Sequence, residues 1–130
     1  MRLKTLLLYI PRGHSASRRL EAALAPVIPP HAAEIVSSPE DLARRLRSPN
    51  KSLRVAVILA ACPKKLEGLQ SLGPLLENLR LILILPDAGP QTIAQAHSLR
   101  PRYLTNIDSD FQDVAAVLKK MLSLTELAID

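Results

Sequence analysis

Aromatic residues are nearly absent: the 130 residues hold no tryptophan, two tyrosines and one phenylalanine. A protein that stacks bases of single-stranded nucleic acid wants exposed rings, and Tyr9, Tyr103 and Phe111 are all there is. A core must therefore be built from Leu, Ile, Val and Ala, a composition suited to buried strands covered by helices. Cysteine occurs once, at Cys62, which excludes an intramolecular disulfide and a cysteine-based zinc site. The four glycines (Gly13, Gly68, Gly73 and Gly89) are dispersed and form neither a dinucleotide fingerprint nor a phosphate loop. His14, His31 and His97 stand far apart, at no spacing that proposes a metal centre. No metal, cofactor or catalytic group is expected. No apolar run approaches the length of a membrane span, and the run ending at Ile10 is cut short by Pro11-Arg12-Gly13 before it could serve as a signal sequence. The expectation is a cytoplasmic protein, a single domain over residues 1–130.

Hydrophobic residues make up 48% of the chain, and they fall in short runs separated by amphipathic segments, the pattern of βα units on a parallel sheet. The apolar runs predict strands at Leu6–Ile10, Ala33–Ser37, Leu53–Ala61, Leu81–Leu85 and around Tyr103-Leu104. Between them, Ala16, Leu20, Ala23, Leu24 and Val27 recur at helical spacing until Pro29-Pro30. Ser38-Pro39-Glu40-Asp41 reads as a helix start, with Ser as cap, Pro in the first turn and acids behind it. That helix turns Leu42 and Leu46 inward and Arg44, Arg45 and Arg47 largely outward, and Ser48-Pro49-Asn50 ends it. Leu66, Leu69 and Leu72 share a face, Gly73-Pro74 breaks or restarts the helix, and Leu75, Leu76 and Leu79 continue the packing. Another helix is predicted from about Pro90 to Ser98. The last is predicted to open at Ser109-Asp110-Phe111-Gln112 as a capping box, with Phe111, Val114, Leu118, Met121 and Leu122 inward. The result is an α/β fold, a (βα)5 three-layer sandwich around a five-stranded parallel sheet. Ligands of such sheets bind beyond the carboxyl ends of the strands.

Two stretches carry a family resemblance. Arg102-Tyr103-Leu104-Thr105-Asn106-Ile107-Asp108 before a long helix is similar to the fifth strand of a response-regulator receiver (CheY-like) domain. Ile58-Leu59-Ala60-Ala61-Cys62-Pro63, with Leu66-Glu67-Gly68-Leu69, resembles that family's third strand and the opening of its third helix. The resemblance implies a flavodoxin-like sheet and a regulatory role in bacterial signalling. The family's chemistry, however, needs an acidic pair to hold Mg²⁺, and Ile10 and Pro11 stand there. The phosphoacceptor position falls on Leu59, the hydroxyl position near Pro86, and the lysine position on Asn106. No Asp or Glu occurs from Ala56 to Lys65. The expectation is a pseudo-receiver, not an enzyme, in which Tyr103 occupies the switch-aromatic position as a half-buried edge residue.

The formal charge is +5, and the bases crowd the first half of the chain. Solvated helix surfaces account for most of them better than a nucleic-acid site does. Two basic loops follow strands: Arg12-Gly13-His14-Ser15, where Ser15 is the expected helix cap, and Lys64-Lys65. Flanking one crevice, they make a small-anion or nucleotide site the alternative function. Cys62, just after a buried strand, is expected to be an inert core thiol, and Asp87 a turn residue that could otherwise meet Asp108. In receivers the face of the fourth helix, fifth strand and last helix is the partner surface. Here the resemblance makes Arg100, Arg102 and Tyr103, beside Gln95, Asp110, Asp113 and Lys119, the expected contact for a protein partner or a second copy. The apolar tail from Leu122 to Ile129 is expected to pack on a neighbour. An enzyme of the same fold with unrecognised residues is the third possibility.

Overall fold

The computed structural model describes residues 4–29, 31–48 and 52–129, with side chains as far as Ser123. Its strands are β1 (Leu6–Tyr9), β2 (Ala33–Val36), β3 (Val55–Leu59), β4 (Arg80–Leu85) and β5 (Tyr103–Asn106), all parallel. The helices are α1 (Ser15–Leu24), α2 (Pro39–Arg47), α3 (Pro63–Gln70), α4 (Gly73–Leu76), α5 (Pro90–His97) and α6 (Gln112–Ile129). Strand order is β2-β1-β3-β4-β5, the arrangement of doubly wound flavodoxin-like and CheY-like folds, whose ligand crevice lies between the ends of β1 and β3.

Alternation along the strands divides the core in two, because successive side chains point to opposite faces. Leu6, Leu8, Val55, Val57, Leu59, Ile82 and Ile84 pack with Leu20 and Leu24 of α1 and with Val114 and Leu118 of α6. Leu7, Tyr9, Ala56, Ile58, Leu81, Leu83 and Leu85 pack with Leu42, Leu66, Leu69, Leu76 and Ala96 from α2 to α5. The three-layer sandwich is thus two separate aliphatic cores sharing one sheet.

Several local expectations hold and several are corrected. The Ser38 hydroxyl accepts from the Asp41 N–H at 3.1 Å, so α2 starts as its sequence predicts. Arg45, by contrast, turns back to the sheet edge and meets Glu34 of β2 at 2.6 Å, with only 16% of its side chain exposed. Leu75 does not join the core and is 36% exposed, because the single turn of α4 directs Leu72 and Leu76 inward and leaves Leu75 facing out. At α1 the cap is His14, whose Nδ1 accepts from the Ala16 N–H at 3.0 Å, rather than Ser15. The C-terminal packing expected from Leu124 onward, and Pro30, Pro49 and Asn50 as helix stops, lie outside the described residues.

The capping box before α6 is also replaced. Phe111 has φ +65°, a left-handed conformation that a bulky side chain rarely adopts, so the helix begins only at Gln112. Asp110 accepts from the Gln112 N–H at 2.9 Å, and the Ser109 hydroxyl accepts from the Phe111 N–H at 3.0 Å. The conformation turns the Phe111 ring into the first core, fully buried. Arg19 of α1 locks it there: its guanidinium lies 4.9 Å from the ring centroid and donates to the carbonyls of Ile107 (2.6 Å) and Ser109 (2.7 Å).

Phe111→Ala should lower the unfolding free energy by about 3–5 kcal/mol, and Arg19→Ala by about 1 kcal/mol for its exposed carbonyl bonds. In urea denaturation the double variant should lose less than the sum of the two, since the guanidinium rests on the ring. Strict additivity would show that the two act separately.

Candidate functional site

The crevice above β1 and β3 is where this fold places its chemistry, and here the side chains at two of its chemical positions are hydrocarbon turned into the core. Ile10 is 2% exposed and Leu59 is fully buried, and both belong to the cluster that contains Phe111 and Leu20. Pro11 is buried, and its carbonyl accepts a hydrogen bond from the Ser17 hydroxyl, which ties the loop to α1. Pro86 is half-buried and has no N–H to offer. Asn106 directs its side-chain oxygen to the Asp108 N–H at 2.9 Å, closing the turn after β5. The groups at these five positions thus supply packing and turn closure.

The polar residues around the strand ends are similarly engaged. Asp87 accepts from the Gly89 N–H at 2.8 Å, and the Thr92 hydroxyl together with that N–H holds its carboxyl below the ordinary range. It is a turn residue, as its sequence suggests. Tyr103 is half-buried and donates to Asp113 at 2.7 Å, and the Ser109 hydroxyl donates to the other oxygen of the same carboxylate at 2.7 Å. Burial pushes Asp113 up. Hydrogen bonds from Ser109, Tyr103, the Val114 backbone and Thr105 outweigh it and hold the carboxyl below the usual range. The bond to Asp113, reinforced by burial, raises Tyr103. Tyr103 is therefore anchored to α6, while Arg100 and Arg102 beside it are exposed. Arg100 has φ +53° at the turn into β5.

The two basic loops do not share a crevice. Arg12, Gly13, His14 and Ser15 line a hollow of about 610 Å³ against α1, with Gly13 at φ +82° making the turn. Lys64 and Lys65 line a different hollow, of about 450 Å³, between α2 and α3. Helices on opposite faces of the sheet separate them.

The second hollow holds what the sequence did not reveal. Its wall includes Tyr9, Leu42, Leu69 and Leu72, and Tyr9 is 1% exposed with its hydroxyl buried and without a hydrogen-bond partner among the described residues. Cys62 also lines it, half-buried at the N-terminus of α3, so the thiol is not the core residue expected. The available signal was a lone phenol in the run Leu6-Leu7-Leu8-Tyr9-Ile10, where a hydroxyl needs a partner that the run itself does not contain.

Among the described residues, no group of three or more His, Cys, Asp or Glu is placed to hold a metal ion. No helix of the described residues is long and apolar enough to cross a membrane.

No protein-family model and no curated protein matches the chain. Among solved structures it is similar to a protein of Burkholderia pseudomallei K96243 provisionally related to pilus assembly. The two are 17% identical, with a TM-score of 0.63 over 93% of this chain and 90% of that one. That likeness establishes the fold.

The Tyr103–Asp113 pair gives a pH dependence of known sign. Asp113 is depressed below its unfolded value of about 3.9, so its stabilisation is complete above that pH and is lost as pH falls through the folded pKa. Tyr103 is raised, so its share is complete below about pH 10 and is lost as pH rises through the folded value. In thermal unfolding followed by circular dichroism, Asp113→Asn should flatten the acid limb of Tm against pH. An acid limb identical to wild type would remove Asp113 as its source.

Proposed function

We propose that this chain is a receiver-like domain without phosphorylation chemistry, working by docking to a protein partner or a second copy in a regulatory assembly of bacterial signalling. One observation carries the reading: the position of the phosphoacceptor is Leu59, an aliphatic side chain with no exposure. A carboxylate there would have to be reached by Mg²⁺ and a phosphodonor, and the hydrocarbon around Leu59 gives neither a path. The fold is kept while its chemical positions contribute to packing, which leaves surfaces as the means of action.

The face of α5, β5 and α6 supports the docking half. It pairs exposed Arg100 and Arg102 with a tyrosine held in a fixed rotamer by Asp113. An ordered aromatic beside cations costs little further entropy on binding. The relation of the Burkholderia neighbour to pilus assembly makes that process the first context in which to seek the partner. The alternative of one anion site shared by both basic loops is disfavoured by their separation into two hollows.

Amide NMR with Mg²⁺ and beryllofluoride should leave the signals of Leu59 and Asn106 unmoved, and shifts at both would overturn the reading. Leu59→Asp should not create a phosphorylation site. It should cost about 4 kcal/mol or more in denaturant unfolding, as an unpaired carboxylate in a closed core does. Arg100→Glu with Arg102→Glu should weaken self-association or partner capture by about five-fold or more. A wild-type chain that does neither, or a double variant that does both equally well, removes the docking half.

A further inference from the structure

The hollow between α2 and α3 combines three features that ordinary surface grooves do not share. The first is its floor. Tyr9 is 1% exposed and lines the hollow, and its hydroxyl has no partner among the described residues, although a buried hydroxyl left unpaired is destabilising and native structures rarely tolerate one. The second is its wall, made chiefly of hydrocarbon from Leu42, Ala43, Leu69 and Leu72. The third is its charge. Arg47, Lys64 and Lys65 line it, and no acidic residue does. The N-terminus of α3 opens there with Cys62 making no side-chain cap bond, and Pro63 and the Lys65 N–H bond to the Cys62 carbonyl leave the lysine side chains as the main positive groups. Glu40, in the first turn of α2, is the acid that acts on the Tyr9 hydroxyl; it is exposed and lies outside the lining.

We propose that this hollow binds a small anionic amphiphile, an apolar body carrying one carboxylate or similar acid group. Its hydrocarbon part lies against Leu42, Leu69 and Leu72, a polar atom accepts from the Tyr9 hydroxyl, and its charge is met by Lys64, Lys65 and Arg47. The volume of about 450 Å³ falls within the range of small-molecule sites. Burial first, then the charges of Glu40 and Cys62, raise the phenol above its ordinary value, so it remains a donor at neutral pH. The inference is independent of the docking face, which lies at the opposite edge of the sheet from β2.

The test is an amide NMR titration of the full chain with octanoate, with octanol and inorganic phosphate as separate arms. Octanoate should give saturable shifts confined to Tyr9, Leu42–Arg47 and Lys64–Leu72. Octanol, which lacks the charge, and phosphate, which lacks the apolar body, should each bind about ten-fold more weakly or less. Tyr9→Phe keeps the ring and should fold at least as stably as wild type while weakening octanoate by about five-fold. Lys64→Ala with Lys65→Ala should weaken it by a similar factor without weakening octanol. Phosphate binding as tightly as octanoate, non-saturating shifts, or unaltered affinity in Tyr9→Phe would each overturn the proposal. So would a second copy seated on the α2–α3 face that octanoate does not displace in sedimentation.

Discussion

Strand β3 is shut away from water along its whole length, and the rest of the molecule follows from that constraint. From Val55 to Ala60 no side chain is exposed. Its neighbours on both sides are parallel, so each return to the sheet needs a crossover, and the crossovers supply the two helical layers. With so few aromatic residues the layers close through Leu, Ile, Val and Ala, whose small volumes must interdigitate on both faces at once. A strand packed in this way has no room at its carboxyl end for a solvated carboxylate. The aliphatic Leu59 therefore closes the end of β3 with hydrocarbon and sets no oxygen there.

Polar side chains near the strand ends are engaged in holding loops onto that core. Ser17 fastens the Pro11 carbonyl, Asn106 closes the turn to Asp108, and Asp87 closes the turn to Gly89. The join from β5 to α6 carries the largest such network: Arg19 on two carbonyls and the Phe111 ring, and Asp113 between Tyr103 and Ser109. Phe111 in a left-handed conformation is unfavourable on its own, and it is held because the ring is buried and its loop is fixed from both sides. These polar groups are aimed at backbone and at one another.

The element order was legible because it rests on short-range rules. Apolar runs of the right length gave the strands, and Ser38-Pro39 gave a helix start that needs only its own turn to form. Arg45 was not legible, because its inward course depends on Glu34 in a strand eleven residues earlier. The capping of α6 misled for a similar reason: Ser109 and Gln112 have the box spacing, yet the burial of Phe111 decides the backbone between them. The two basic loops looked like one site because both follow strands. Which face of the sheet each helix covers is set by the crossovers, and that separates Arg12 from Lys64. Leu59, Ile10 and Pro86 have aliphatic or prolyl side chains, which hold no nucleophile in any fold, whereas the place of the Asn106 amide in the turn to Asp108 emerges only from the structure.

Tyr9 is the exception to this economy of polar groups. Its neighbours Leu8 and Ile10 face the first core, and it faces the second, where every other strand residue is aliphatic. A phenylalanine would fill the same space and leave nothing unpaired. An orphan hydroxyl costs about 1–3 kcal/mol, a sizeable part of the 5–15 kcal/mol of a typical domain. Every other buried side-chain oxygen or nitrogen among the described residues has a partner. The one that lacks it sits at the wall of an apolar hollow rimmed by three cations. Packing alone explains the ring and not the hydroxyl, whereas an acceptor arriving from outside the chain explains both, together with the charge of the rim.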